Sequence, residues 1–355
     1  MTRVPSGLVL LSVLLCGCSA SDSTADAADS VSVAVVEESF VTRRHTLAIM
    51  DSPAIWAGHT GETWIVATGK LTSRLYVSDA ATGAPVRTIG RRGSGLGEFR
   101  RPNGIAVSGD LLMVVERDNH RVQVLRLPDA KPVASFGEAT LSRPYGIAVD
   151  NRGNGDLSVF VTDNYEAKNG RALADRDLGE RVKRYRVAAS NQGLVVTYLG
   201  AFGDTAGAGR LLGVESLAVD RDAGILLIAD ELAVDVKVYR TDGSFTGQVL
   251  WGDVIRHEPE GIALYACGPT EGYWIVTDQH PVENRFLVFH RETFALVGVF
   301  TGAAVRNTDG IALVQRPVGS MSAGALYAAH KDRSIAAISW SRIAAALGLR
   351  SDCAA

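Results

Sequence analysis

The sequence predicts an all-β chain folded as a single-domain six-bladed β-propeller, and three observations predict it. A short unit recurs six times: Pro53-Ala-Ile, Pro102-Asn-Gly-Ile-Ala-Val, Pro144-Tyr-Gly-Ile-Ala-Val, Val214-Glu-Ser-Leu-Ala-Val, Pro259-Glu-Gly-Ile-Ala-Leu and Thr308-Asp-Gly-Ile-Ala-Leu. Each copy is followed by a turn and an apolar run such as Leu111-Leu-Met-Val-Val or Ile225-Leu-Leu-Ile-Ala, then by an alternating segment such as Val122-Gln-Val-Leu or Val236-Lys-Val-Tyr. The copies stand roughly 42 to 70 residues apart, room for a four-stranded blade. The 37 glycines against 11 prolines suit a chain with many tight turns.

Taken in order, the chain begins with Arg3 and an apolar run over residues 7–15 that is too short to span a bilayer. Leu15-Cys-Gly-Cys18 closes that run and resembles the lipobox of bacterial lipoproteins. Residues 1–18 are therefore expected to be a signal peptide, with Cys18 acylated after cleavage. Ser19 resembles the pattern that sends such proteins to the outer membrane, so the expected location is the cell envelope, periplasmic or extracellular. Residues 19–41 are rich in Ser, Ala and Asp and are expected to form a flexible linker. Residues 42–345 are the expected propeller, with a fourth strand of a blade in Pro85-Val-Arg-Thr-Ile and in Leu296-Val-Gly-Val-Phe, and 346–355 a C-terminal tail. The polar stretch 166–180 reads as a surface loop. Cys267 and Cys353 remain after processing, and spacing leaves their pairing open.

Composition narrows the function. With 46% hydrophobic and 21% charged residues the chain can bury a core, and a net charge of -3 gives no global attraction to nucleic acid. Any membrane contact is expected through the lipid anchor alone, and the protein is expected to be a monomer. There is no Gly-x-Ser-x-Gly, His-Glu-x-x-His or P-loop, and the seven histidines lack metal-binding spacing.

In a propeller the first strand of each blade lines the central channel, so aligned positions become neighbours. The position before Gly-Ile-Ala reads Pro53, Asn103, Tyr145, Glu215, Glu260 and Asp309. The end of the second strand reads Lys70, Arg117, Asn164, Glu231, Gln279 and Lys331, preceded by Gly69, Glu116, Asp163, Asp230, Asp278 and His330. Carboxylates converging at one mouth repel one another unless a cation neutralises them, and an oxygen-only set suits Ca²⁺ rather than zinc. Strand alternation places Glu258 on the face of Glu260. Lys70, Arg117 and Lys331 form an expected basic flank, so that metal and cations together suit a phosphate-like anion. Arg91, Arg92, Arg100 and Arg101 read as a solvated face or an outer substrate guide.

Asp51-Ser-Pro-Ala-Ile-Trp56, Glu215 with Ile228-Ala-Asp-Glu231, Glu258-Pro-Glu-Gly-Ile262, Asn307-Thr-Asp-Gly-Ile311 and Ile338-Ser-Trp340 resemble, in order, motifs of the β-propeller phytases, calcium-dependent enzymes that release phosphate from inositol hexakisphosphate. The resemblance implies a Ca²⁺-dependent phosphomonoester hydrolase of a phytate-like substrate. It implies metal ligation by Asp51, Glu215, Glu231, Glu258, Glu260 and Asp309, and catalytic or substrate contacts by Glu215, Glu231, Lys70, Arg117 and Tyr145. Ser52, Leu71, Asn164 and His330 depart from the family's ligands. Residues 95–107 resemble an NHL repeat, so a non-catalytic NHL-type binding module is one alternative. A metal-dependent lactonase using Asn103 or Asn307 is the other.

Overall fold

The computed structural model describes Met1, residues 32–163 and residues 175–353. The expected leader with Cys18, the linker up to residue 31, Asn164 and most of the 166–180 loop lie outside the described residues.

Blades 1 to 4 are antiparallel sheets in simple sequence order, because short Gly- and Asp-containing turns join alternating apolar runs. Blade 1 is Met50–Ala57, Thr63–Gly69, Arg74–Asp79 and Pro85–Ile89, and blade 2 is Pro102–Ser108, Leu111–Glu116, Arg121–Arg126 and Lys131–Phe136. Blade 3 is Pro144–Asn151, Asp156–Asp163, Val182–Ser190 and Gly193–Phe202, and blade 4 is Val214–Asp220, Ile225–Asp230, Asp235–Arg240 and Phe245–Leu250. Blade 5 is Glu258–Ala266, Gly272–Gln279, Arg285–His290 and Leu296–Gly302, and blade 6 has Ile311–Val314, Ala325–His330 and Ser334–Ser339.

Blade 6 takes its outer strand from the other end of the chain. Phe40–Val41 pairs antiparallel with Ser334–Ser339, and Val33–Val36 adds a parallel fifth strand to blade 5. The part of the expected linker from 33 to 41 is thus folded, because the last blade would otherwise leave a buried strand edge unpaired. At the other end, the helix Trp340–Leu347 stacks Trp340 on Tyr265 at 4.0 Å, and a disulfide joins Cys267 to Cys353. Spacing left that pairing open; packing of the tail on blade 5 decides it.

The core is six apolar clusters, one between each pair of adjacent blades. Middle strands such as Leu226–Ala229 are buried on both faces, which accounts for their unbroken apolar runs.

At the channel a single local feature recurs. In blades 1 to 5 the pairing of first and second strands slips by one residue at the start of the first, so two residues oppose one. The bulged pairs are Asp51-Ser52, Asn103-Gly104, Tyr145-Gly146, Glu215-Ser216 and Glu260-Gly261. The glycines are there because the next blade passes against them. A Cβ on Gly146 would lie 2.2 Å from the Glu215 carbonyl oxygen, and one on Gly104 would lie 2.5 Å from that of Tyr145. Serine or glycine of the repeat together with the following residue lines a channel cavity of about 60 Å³, one pair from every blade.

Candidate functional site

The bulge turns the first residue of each pair out of the strand and toward the channel mouth. It also corrects the sequence alignment of blade 1: Ser52 fills the glycine position, so Asp51, not Pro53, belongs to the column. The signal was present in Pro53-Ala54, which occupies the place of Ile-Ala in the other copies.

Glu215, Glu231 and Glu260 each bring a carboxylate oxygen to within 4.8 Å of the other two. Glu215 and Glu260 are buried and Glu231 is half-buried. Burial, and then repulsion from Glu231, pushes the Glu215 pKa well up. Burial, then Glu215 and Glu231, does the same to Glu260, which also hydrogen-bonds Glu231. Two carboxylates make that contact only with a proton or a cation between them. The donor set fits a hard divalent ion: three oxygen ligands, none of them satisfied by a cationic side chain of its own.

Beside the triad, Lys70 pairs with Asp51 at 2.6 Å and donates to the Tyr145 hydroxyl at 2.6 Å, while Tyr145 donates to Glu215. Burial works against the Lys70 ammonium, yet attraction to Asp51, Asp309 and Glu215 carries its pKa above the usual lysine range. Burial and the surrounding carboxylates likewise raise the Tyr145 phenol, so it remains a neutral donor. Asp309 accepts from Gln279 Nε2 at 2.9 Å, and its Oδ2 has no partner among the described residues. Burial, then Asp51, raises its pKa as well. Asn103, at the same bulge position in blade 2, is fully buried with both amide atoms unpartnered among the described residues.

Three expected site residues are not gathered here. Glu258 is exposed, because the bulge that follows it breaks the alternation that would have aligned it with Glu260. Arg117 begins a short 3₁₀ turn and bonds Asp118 at 2.8 Å, and Lys331 is exposed in a left-handed turn. Of the expected basic flank, only Lys70 meets the carboxylates.

The residues preceding the second column have another task. Glu116 accepts from the Arg100 N–H and from Arg121, and Asp163 accepts from the N–H groups of Ser142 and Arg143. Asp230 accepts from Leu212, Gly213 and Lys237, and Asp278 from Arg256, His257 and Arg285. His330 Nδ1 plays the same part toward the Arg306 N–H. Each closes the loop entering its blade by accepting backbone N–H groups of that loop.

The site thus defines a six-bladed propeller with a carboxylate-rich, lysine-flanked channel mouth. An NHL repeat pattern matches residues 99–125, the first three strands of blade 2. The chain is also similar in fold to regucalcin from Agrobacterium tumefaciens, titled a calcium-binding protein, at 12% identity and a TM-score of 0.54, over 87% of this chain and 97% of that one. No curated protein matches. The phytase resemblance has no support in these comparisons.

Proposed function

We propose that the protein is a divalent-cation-dependent hydrolase whose cation is held by Glu215, Glu231 and Glu260 and whose substrate is a small ester, with lactones the first class to test. The observation that carries the reading is the triad itself: three carboxylates kept close and largely out of water, a costly arrangement without a cation. The calcium-binding title of the regucalcin neighbour supports Ca²⁺ as the ion. When bound, such an ion polarises a carbonyl and acidifies a ligated water. The chain's own groups supply the rest. Asp309 has a raised pKa and one unpartnered oxygen able to take a proton from water. The Asn103 amide can orient a substrate carbonyl, and Tyr145 and Lys70 offer a neutral and a charged donor at fixed positions.

Release of phosphate from a phosphomonoester such as phytate is the second reading, favoured by the Lys70 ammonium held charged beside the triad. Export and a lipid anchor at Cys18 belong to the proposal too; the Cys267–Cys353 bridge supports export, because such bonds persist in oxidising compartments. The test is turnover of a lactone panel and of phytate, with Ca²⁺ and with chelator, beside Glu231→Gln. Calcium-dependent lactone opening lost in the variant supports the first reading, and phosphate release lost in the variant supports the second. A calcium-induced rise in melting temperature without turnover of either would favour the binding module.

A further inference from the structure

A second cavity, about 260 Å³, opens beside Lys70 and is lined by Arg92, Arg100 and Arg101 with Asp118 as its one acid. Its charge is unbalanced. Asp118 is engaged by Arg117 and Lys70 by Asp51, whereas the side chains of Arg92, Arg100 and Arg101 have no hydrogen bond or ion pair among the described residues. Arg101 is half-buried, its Nε is shielded from water without an acceptor, and its backbone sits at φ 49°, a left-handed conformation unusual for arginine.

The arginines are held together by a rigid loop rather than drifting apart in solvent. Arg92 bridges to Phe99, Gly93 donates to the Phe99 carbonyl and Phe99 to that of Arg91. The buried Arg121, paired with Glu116 at 2.7 Å, donates to the carbonyls of Ser94, Gly95 and Glu98. The same Glu116 fixes the Arg100 N–H, and the Arg117 N–H fixes the Arg101 carbonyl. Three arginines rooted in one fixed loop bring positive charge to one cavity and offer fork-shaped donors to an acceptor seated there.

We propose that this cavity is a binding subsite for a dianionic tetrahedral oxyanion, the phosphate-type group of a larger ligand. A cavity of this volume takes one such group and the start of its carrier. Lys70 forms part of the cavity and also bonds Asp51 and Tyr145, so a group seated there lies one side chain from the triad. Binding of the anion is independent of the proposed hydrolase; only its role as a handle on the substrate rests on that reading.

The experiment is calorimetric titration of the purified protein with inorganic phosphate in calcium-free buffer of constant ionic strength, with sulfate and acetate as competitors. Arg92→Ala and Arg100→Ala are exposed positions and leave the fold intact, as checked by circular dichroism. Each is expected to weaken phosphate binding about tenfold, from loss of a charge-assisted bond. Arg91→Ala serves as the control, since Arg91 is outside the cavity and occupied by Glu98, and its affinity stays within about twofold of wild type. Sulfate competes and acetate does not. Equal phosphate binding by wild type and the Arg92/Arg100 double variant, or acetate competing as well as sulfate, overturns the proposal. Glu260→Gln retains phosphate binding while losing calcium binding, so a failed triad and a failed anion site give different isotherms.

Discussion

Replacing Glu260 by glutamine is expected to make the calcium-free protein more stable and the calcium-loaded protein less responsive, two effects of opposite sign from one atom exchange. Two unit charges 4.8 Å apart repel by about 3.5 kcal/mol at an effective dielectric of about 20, and Glu260 faces two such neighbours. Part of that cost is relieved by proton uptake, since burial and then Glu215 and Glu231 push the Glu260 pKa up. The remaining gain for Glu260→Gln is therefore about 1–2 kcal/mol, a rise of about 1.5–3 °C in melting temperature for a domain of this size. Calcium at about a hundred times its dissociation constant adds about 2.7 kcal/mol to the wild type. In the variant that increment falls to almost nothing, since one of three ligands is neutral. Differential scanning calorimetry with chelator and with a calcium series reads both effects. A calcium-free variant that melts below wild type would refute the claim that the triad is a repulsive site awaiting a cation.

Other expectations follow from the same geometry. Glu215, Glu260 and Asp309 have raised pKa values, so the folded calcium-free protein binds more protons than the unfolded chain above the ordinary carboxylate pKa of about 4. By linkage the contribution of these three groups to stability is full below that window and is lost as pH rises through their folded pKa values, and calcium flattens the fall; melting curves between pH 5 and 8, with and without chelator, check the slope. Lys70→Met strands the buried Asp51 carboxylate and is expected to cost about 3–5 kcal/mol, measured by urea unfolding. Cys353→Ser opens a loop spanning 86 residues, so the oxidised wild type should exceed the variant by up to about 4–5 kcal/mol in chain entropy, while reduced wild type should match it.

The propeller was legible because its signals are local and repeated: two buried runs and an alternating third recur in fixed order, and each copy carries the same turn into the channel. What the sequence could not carry were the places where a blade breaks its own rule. Alternation assigned Glu258 to the face of Glu260, but a bulge intervenes. Column alignment put Arg117 at the mouth, but a 3₁₀ turn redirects it to Asp118. The N-terminal strands lack the repeat's motifs entirely, because they are outer strands added to blades 5 and 6 built at the other end of the chain, and composition alone read them as tether.

Both acid columns converge near one end of the channel, and sequence gave no ground for assigning them different tasks. The difference lies in their donors. Glu116, Asp163, Asp230 and Asp278 each accept at least one backbone N–H from the loop that enters their blade, so their charge is spent on holding that loop. Glu215, Glu231 and Glu260 instead face one another, and Asp309 keeps an oxygen without any partner among the described residues. An acid supplied with backbone donors needs no ion, whereas a set of acids whose nearest polar neighbours are other acids remains unsatisfied until a cation or protons arrive. Backbone geometry separates the two kinds: the loop ahead of each blade presents its N–H groups to the first set, whereas the bulge turns Glu215 and Glu260 toward the mouth, where Glu231 meets them from the end of a second strand. The bulge places Glu215 and Glu260 while Asp230 and Asp278 hold the loops independently of it, so a substitution that removes the bulge in blade 4 or 5 should cost metal affinity and leave the loop anchored.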